Sequence, residues 1–275
     1  MTSPTPPQPI RIAIAGLGAI GKALAKRLTD GTVPGVVLTA VSARNQEKAV
    51  AFVKTLAHPV PVLGIEQLEP TADIVVECAP AAILGEIIGP FLRAKKKAIV
   101  LSVGAILFRP DLIELARQTG GTILVPTGAL IGLDAVVAAA EGQIHDVRMI
   151  TRKPPNGLSG APYLIEHGIS LEGLTEPLKV FSGNAKEAAK GFPANLNVVV
   201  ALALAGIGPD RTLLEIWADP TVVRNTHTIS VDSDSARFTM TMENIPSENP
   251  KTGRIVAQSV TALLRKMTST FVVGT

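Results

Sequence analysis

The feature that most constrains this chain is a glycine-rich hexamer, Gly16-Leu17-Gly18-Ala19-Ile20-Gly21. It follows directly on the apolar run Ile10-Arg11-Ile12-Ala13-Ile14-Ala15 and opens a helical segment over residues 22–28. Glycine hexamers are common, so the strand–loop–helix placement carries the meaning. In that setting Gly16 permits a tight turn and Gly18 lets a pyrophosphate approach the backbone. Gly21 lets helix and strand pack closely, with the phosphate charge at the helix N-terminus, where Ala19 and Ile20 lie. The bland alternative is a glycine-rich turn without a ligand.

The hexamer opens an alternation of apolar runs and amphipathic segments, the pattern of parallel strands joined by helices. Strands are expected at residues 10–15, 36–42, 60–63, 73–78, 98–103 and 122–125, with helices after the glycine loop and at 46–56, 82–94 and 110–118. Six strands so arranged predict an α/β fold, a Rossmann doubly wound parallel sheet. The segment 60–63 is the weakest of the six, and the β-branched Ile74-Val75-Val76 the strongest.

After Pro126 the rhythm changes. Residues 133–141 read as helix, 147–151 as strand, 154–171 as loop without a clear period, and 195–205 as a strongly apolar helix. Residues 213–217, 226–231 and 236–242 read as strands of a mainly antiparallel sheet, and 251–266 as a last amphipathic helix. The expected organisation is a dinucleotide-binding domain over residues 1–126 and a second α+β domain over 127–250 for substrate and dimerisation. The helix at 251–267 could pack back on either.

A carboxylate is usual about 20 residues beyond the fingerprint, where it bonds the ribose hydroxyls of NAD and repels a 2′-phosphate. Val41-Ser42-Ala43-Arg44-Asn45 occupies that position. Ser42, Arg44 and Asn45 offer donors and a cation instead, so NADP is expected to be accepted alongside NAD. Arg44 as a plain solvated residue is the alternative. At the ends of two further strands, Glu77-Cys78-Ala79-Pro80 and Ser102-Val103-Gly104-Ala105 supply small residues beside which a nicotinamide ribose can pass. Cys78, Ala79 and Gly104 are therefore cofactor candidates. Cys78 reads as a packing residue, since no activating partner for a nucleophile is evident.

Composition narrows the class. Of 275 residues, 47% are hydrophobic and 18% charged, which argues against disorder. The mean hydropathy of +0.35 raises the question of a membrane span. The most apolar stretch, residues 198–208, is bounded by Asn197 and Pro209. It falls short of the roughly 20 residues a spanning helix needs. Residues 1–9 contain four prolines and read as a tail without signal-peptide character. Cys78 is the only cysteine, which excludes an internal disulfide or a cysteine-rich metal site, and a cytoplasmic location is expected. Net charge is +3, aromatics make up 3%, and the run Lys95-Lys96-Lys97 fits a solvated helix end, so no nucleic acid partner is expected.

Four segments of the second half are unusual in combination. They are Pro126-Thr127-Gly128-Ala129-Leu130-Ile131-Gly132-Leu133-Asp134-Ala135, Arg152-Lys153-Pro154, Phe192-Pro193-Ala194-Asn195-Leu196-Asn197-Val198, and Ala218-Asp219-Pro220 followed by Asn225-Thr226-His227. With the two upstream strand ends, the chain resembles the L-aspartate dehydrogenase family over nearly its whole length. The resemblance implies oxidation of L-aspartate by NAD or NADP to iminoaspartate, which hydrolyses to oxaloacetate and ammonia or feeds NAD biosynthesis. It implies a homodimer, a catalytic role for His227, and cofactor contacts at Ala129 and Asn197. Pro80 after Ala79, and Thr127 before Gly128-Ala129, depart from the family pattern and bear on the shape of the nicotinamide pocket.

The residues fit that chemistry. Oxidising an amine removes a proton from nitrogen as hydride leaves the α-carbon, and histidine is the natural proton acceptor. His58 and His145 lie in a loop and a turn; His167 is the runner-up to His227. Asn195 and Asn197 stand at the start of the apolar helix, where their amides could bind a nicotinamide carboxamide or a substrate carboxylate; helix capping is the alternative, and the better one for Asn195. Arg152 and Lys153 are the cation candidates for a dicarboxylate, with a solvated loop as the alternative. Two competing readings stay open: an NAD(P)-dependent imine or carbonyl reductase on the same plan, and a non-catalytic dinucleotide-binding regulator, which would need neither His227 nor the asparagine pair.

Overall fold

The structure, a computed structural model, describes residues 8–192, 196–246 and 253–274. It divides into two compact units, Met1–Pro126 with Ala257–Val272, and Thr127–Val256 with Val273–Thr275.

The first unit runs β1 (Ile10–Ala15), α1 (Ala19–Thr29), β2 (Val36–Ser42), α2 (Gln46–Val53), β3 (Ile74–Glu77), α3 (Leu84–Arg93), β4 (Lys97–Val100), α4 (Val103–Ile106), α5 (Pro110–Thr119) and β5 (Thr122–Leu124). The strands form one parallel sheet in the order β2-β1-β3-β4-β5. The inner strands are covered on both faces, which is why residues 12–15, 74–76 and 98–100 are unbroken apolar runs that do not alternate. Ile12, Ile14, Ile74 and Val76 pack on one side with Leu24 and Leu28 of α1, and Ala257, Val260 and Leu264 of the last helix (Ile255–Thr268) join that core. Ala13, Ala15, Val75, Ala98 and Val100 pack on the other with Ile87, Phe91 and Leu92 of α3.

Two expectations fail here. The segment 60–63 is no strand; it makes a single bridge, Val62 with Val41. Prolines at 59 and 61 cannot donate to a ladder, and the segment is tied by Val41 N–H to Pro61 O (3.1 Å) and Leu63 N–H to Val41 O (2.9 Å). The sheet therefore has five strands, not six. The strand expected to reach residue 103 stops at Val100, because the next two N–H groups, of Leu101 and Ser102, turn to the side chain of Glu77.

The second unit comprises α6 (Leu133–Ala140), β6 (Ile144–Lys153), α7 (Pro162–Glu166), β7 (Leu178–Asn184), α8 (Ala185–Gly191), α9 (Asn197–Ala205), β8 (Thr212–Ala218), β9 (Asn225–Ser233) and β10 (Arg237–Asn244). Its sheet has the order β10-β9-β6-β8-β7; β6 and β8 are parallel and the other pairs antiparallel. Alternate residues of the inner strands face a covered side: Val147, Met149, Thr151 and Lys153 on β6, Leu214, Ile216 and Ala218 on β8, and His227, Ile229 and Val231 on β9 are all buried. Helix α9 packs against α6, α8 and β8. This explains its uniformly apolar sequence, since a helix enclosed on several sides has no polar face.

Candidate active site

The nucleotide end of the first unit is shaped by glycine geometry. Gly16 has φ +103°, and a Cβ there would stand 2.5 Å from the Cys78 carbonyl oxygen and 2.8 Å from the Ala79 nitrogen. A Cβ on Gly21 would collide with the Gly16 carbonyl oxygen. Gly16 N–H donates to Ser42 O (2.7 Å), which locks the loop onto the end of β2. Gly18, by contrast, would place a Cβ in open space, and it precedes α1 without a side-chain cap or an acidic residue in the first turn. The unpaired N–H groups of that turn, with Ala19 and Ile20 half-buried beside them, leave the cradle a dinucleotide pyrophosphate needs.

Ser42, the last residue of β2, is buried, and Arg44 beyond it is exposed. The Asn45 side chain caps α2, its Oδ1 accepting from Lys48 N–H at 2.9 Å. Cys78 and Ala79 are half-buried against the loop, and Gly104 lies within α4. Burial, reinforced by the neighbouring charge of Glu77, pushes the Cys78 thiol well above its ordinary range, so the sulfur stays protonated and is no nucleophile.

Glu77, the last residue of β3, was not singled out from sequence as a functional group. It is fully buried, and its carboxylate accepts from Ala79 N (3.0 Å), Ser102 N (2.9 Å), Ser102 Oγ (3.0 Å) and Leu101 N (3.2 Å). Burial raises its pKa, opposed by these donors. A carboxylate closing a β-branched run is the signal that could have found it.

In the second unit the polar residues gather at one end of the covered sheet face. Thr151 and His227 are register partners on β6 and β9, with Thr151 Oγ1 3.1 Å from His227 Nδ1. Lys153 lies two residues further along β6 on the same face, and only 4% of it is exposed. Burial first, then the positive charge of Lys153, lowers the His227 pKa from 6.5 to about 3, so the ring is neutral in the free protein. Sequence reasoning singled out His227 and Lys153 as candidates but not Thr151, which reads as an ordinary β-branched strand residue.

The other candidates are accounted for. Arg152 points to the opposite face, paired with the buried Asp219 (2.9 Å) and stacked over Trp217 at 4.8 Å, so it is not the cation of this cluster. His167 bonds the Tyr163 carbonyl (2.9 Å) and stacks on its ring at 3.9 Å, an exposed helix-end arrangement. The Ala129 carbonyl accepts from the buried Asn244 Nδ2 (3.1 Å). Asn197 is exposed at the first turn of α9, and Asn195 falls outside the described residues.

A glycine-loop parallel sheet and a second unit with a buried histidine–lysine pair define a two-unit oxidoreductase that uses a nicotinamide dinucleotide. Residues 16–126 match the family described as "Homoserine dehydrogenase, NAD binding domain", and residues 134–267 the family "Aspartate dehydrogenase, C-terminal". The chain is 62% identical over 264 residues to L-aspartate dehydrogenase 3 of Bordetella bronchiseptica, covering 96% of this chain and 97% of that protein. It is 58% identical over 275 residues to L-aspartate dehydrogenase of Bradyrhizobium diazoefficiens, covering 100% and 98%. The chain belongs to the L-aspartate dehydrogenase family. The crystal structure of aspartate dehydrogenase from Thermotoga maritima shares the fold, with a TM-score of 0.75 at 24% identity over 96% of this chain and 99% of that one.

Proposed function

We propose that this protein oxidises L-aspartate to iminoaspartate with NAD or NADP. The observation that carries the reading is the buried polar cluster His227, Lys153 and Thr151, at the end of an otherwise apolar sheet face in a chain of this family. When bound, the cofactor accepts the hydride from the α-carbon. The protein's part is to hold the substrate and take a proton. Loss of a hydride from Cα and of a proton from the ammonium leaves the iminium, which water hydrolyses to oxaloacetate and ammonia. His227 is neutral and able to accept that proton. Burial is the larger cause of its low value and the charge of Lys153 the smaller. A dicarboxylate arriving next to Lys153 offsets the second cause, which raises the histidine's affinity for the proton.

Residues 1–126 bind the dinucleotide through Gly16, Gly18, Ala19, Ile20 and Gly21, with Cys78, Ala79 and Gly104 lining the nicotinamide end. Ser42, Arg44 and Asn45 stand where the adenosine ribose lies, and the exposed Arg44 supports use of NADP. Residues 127–250 supply the substrate site, with Lys153 and His227 for the substrate; cofactor contacts at Ala129 and Asn197, and substrate contacts at Asn195 and Asn197, rest on the sequence reading and the family resemblance. A homodimer is proposed on the outer face of the second sheet, where Ile150 and Leu213 are 38% and 40% exposed. No helix among the described residues is long and apolar enough to cross a membrane, and a cytoplasmic location is proposed from the single cysteine. Steady-state assays with L-aspartate and each cofactor test the activity. Reduced cofactor should form from L-aspartate, and oxaloacetate plus ammonia should reoxidise it; failure of both removes the reading.

A further inference from the structure

The side-chain hydrogen bond of His227 runs to Thr151, a residue 2% exposed on the adjacent strand. Because the two are register partners in an antiparallel ladder, the contact is set by the sheet and not by a loop. The preceding positions on the same face of β6 are Val147 and Met149, both buried and apolar. Packing at position 151 would be met equally by valine, which has the same branched shape; the hydroxyl is what threonine adds.

A neutral imidazole carries one hydrogen, on either Nδ1 or Nε2. If the Thr151 hydroxyl donates to Nδ1, the hydrogen sits on Nε2, and both nitrogen lone pairs are committed or absent. If Nδ1–H donates to Thr151 Oγ1, Nε2 keeps its lone pair. Only the second arrangement leaves a base for the substrate ammonium. The charge acting on the ring is that of Lys153, on the same strand as Thr151, and the register partner of His227 on β10 is the uncharged Met242.

We propose that Thr151 is a positioning residue for this reaction: its Oγ1 accepts the Nδ1–H of His227 and holds the imidazole in the tautomer whose Nε2 is the proton acceptor. The inference rests on the reading of His227 as the base. Among the described residues no other side chain bonds this ring, so the tautomer depends on one hydroxyl.

The test compares Thr151→Val, Thr151→Ser and His227→Asn with the wild type, under saturating L-aspartate and cofactor. Thr151→Val should lower kcat about tenfold, the worth of one hydrogen bond, while the KM for the cofactor stays the same. Thr151→Ser should recover most of the loss. Nitrogen-15 NMR of the wild-type protein should show the hydrogen of His227 on Nδ1, a readout that holds even where a variant fails to fold. Wild-type kcat in Thr151→Val, equal losses in the valine and serine variants, or a hydrogen on Nε2 in the wild type would each overturn the proposal. Full turnover by His227→Asn would instead remove the base itself, and so marks failure of the underlying reading.

Discussion

Replacing His227 by leucine should change how the protein's stability depends on pH, by an amount that follows from the burial of the ring. In the folded protein the imidazole resists protonation, with a pKa lowered from 6.5 to about 3 by burial and by Lys153. In the unfolded chain it titrates at its ordinary value. Below that value the unfolded chain takes up a proton that the folded protein refuses, so stability falls as pH drops from 6.5 toward 3. Between pH 7.5 and 5.0 this single group removes about 2 kcal/mol. His227→Leu carries no such linkage, so over the same interval it should lose about 2 kcal/mol less than the wild type, whatever the carboxylates common to both contribute. Urea unfolding at the two pH values measures this. Trp217, the only tryptophan, lies on β8 beside β6, so its fluorescence reports the unit that contains the histidine. With ordinary urea slopes the difference is a midpoint displacement of about 1 M. Parallel displacement of wild type and variant would refute the argument that the ring is buried in its neutral form.

Three further outcomes are expected. Lys153→Met removes a buried positive charge beside the ring, so the His227 pKa should move up in an NMR titration; the KM for L-aspartate should rise about 10²-fold while the KM for the cofactor holds. Arg44→Ala should weaken NADP more than NAD in competition assays, and equal losses would assign the exposed guanidinium to solvent. Glu77→Gln places an amide where a carboxylate oxygen accepts two N–H or O–H donors, so melting should fall by about 5 °C in a thermal scan.

What could be read from the sequence follows from which interactions are local. The glycine loop is legible because strand, turn and helix are consecutive, and the conformation of Gly16 is dictated by neighbours in the same motif and by Cys78, just past the end of β3. The inner strands of the first sheet are legible because burial on both faces makes residues 12–15, 74–76 and 98–100 continuous apolar runs. The segment 60–63 looked like a sixth because its valines and leucine have strand composition, while its prolines act on the hydrogen-bonding that composition does not record. Strand β7 and helix α8 escaped notice for a related reason. The β7 sequence Leu-Lys-Val-Phe-Ser-Gly-Asn does not alternate cleanly, and its register shifts against β8 between Lys179 and Phe181, which breaks the period of two.

The site resisted in a more instructive way, because its parts are made polar by position. His227, Thr151 and Lys153 come from strands that are far apart in the chain and adjacent in the sheet. Lys153 sits in Arg152-Lys153-Pro154, where both basic residues looked equally suited to bind a carboxylate. The strand period separates them: Lys153 goes to the covered face with His227, and Arg152 to the other, onto Asp219 and Trp217. The same parity follows from sequence when the strand at residues 147–151 is extended by two positions to include Lys153. Thr151 was available by the same step, as the residue two before it on the same face. What no pattern in the chain could supply is the pairing of β6 with β9 in the register that brings Thr151 to His227. That register turns a strand histidine, for which a surface position was the alternative from sequence, into a buried neutral imidazole within hydrogen-bond distance of a hydroxyl and beside a lysine charge.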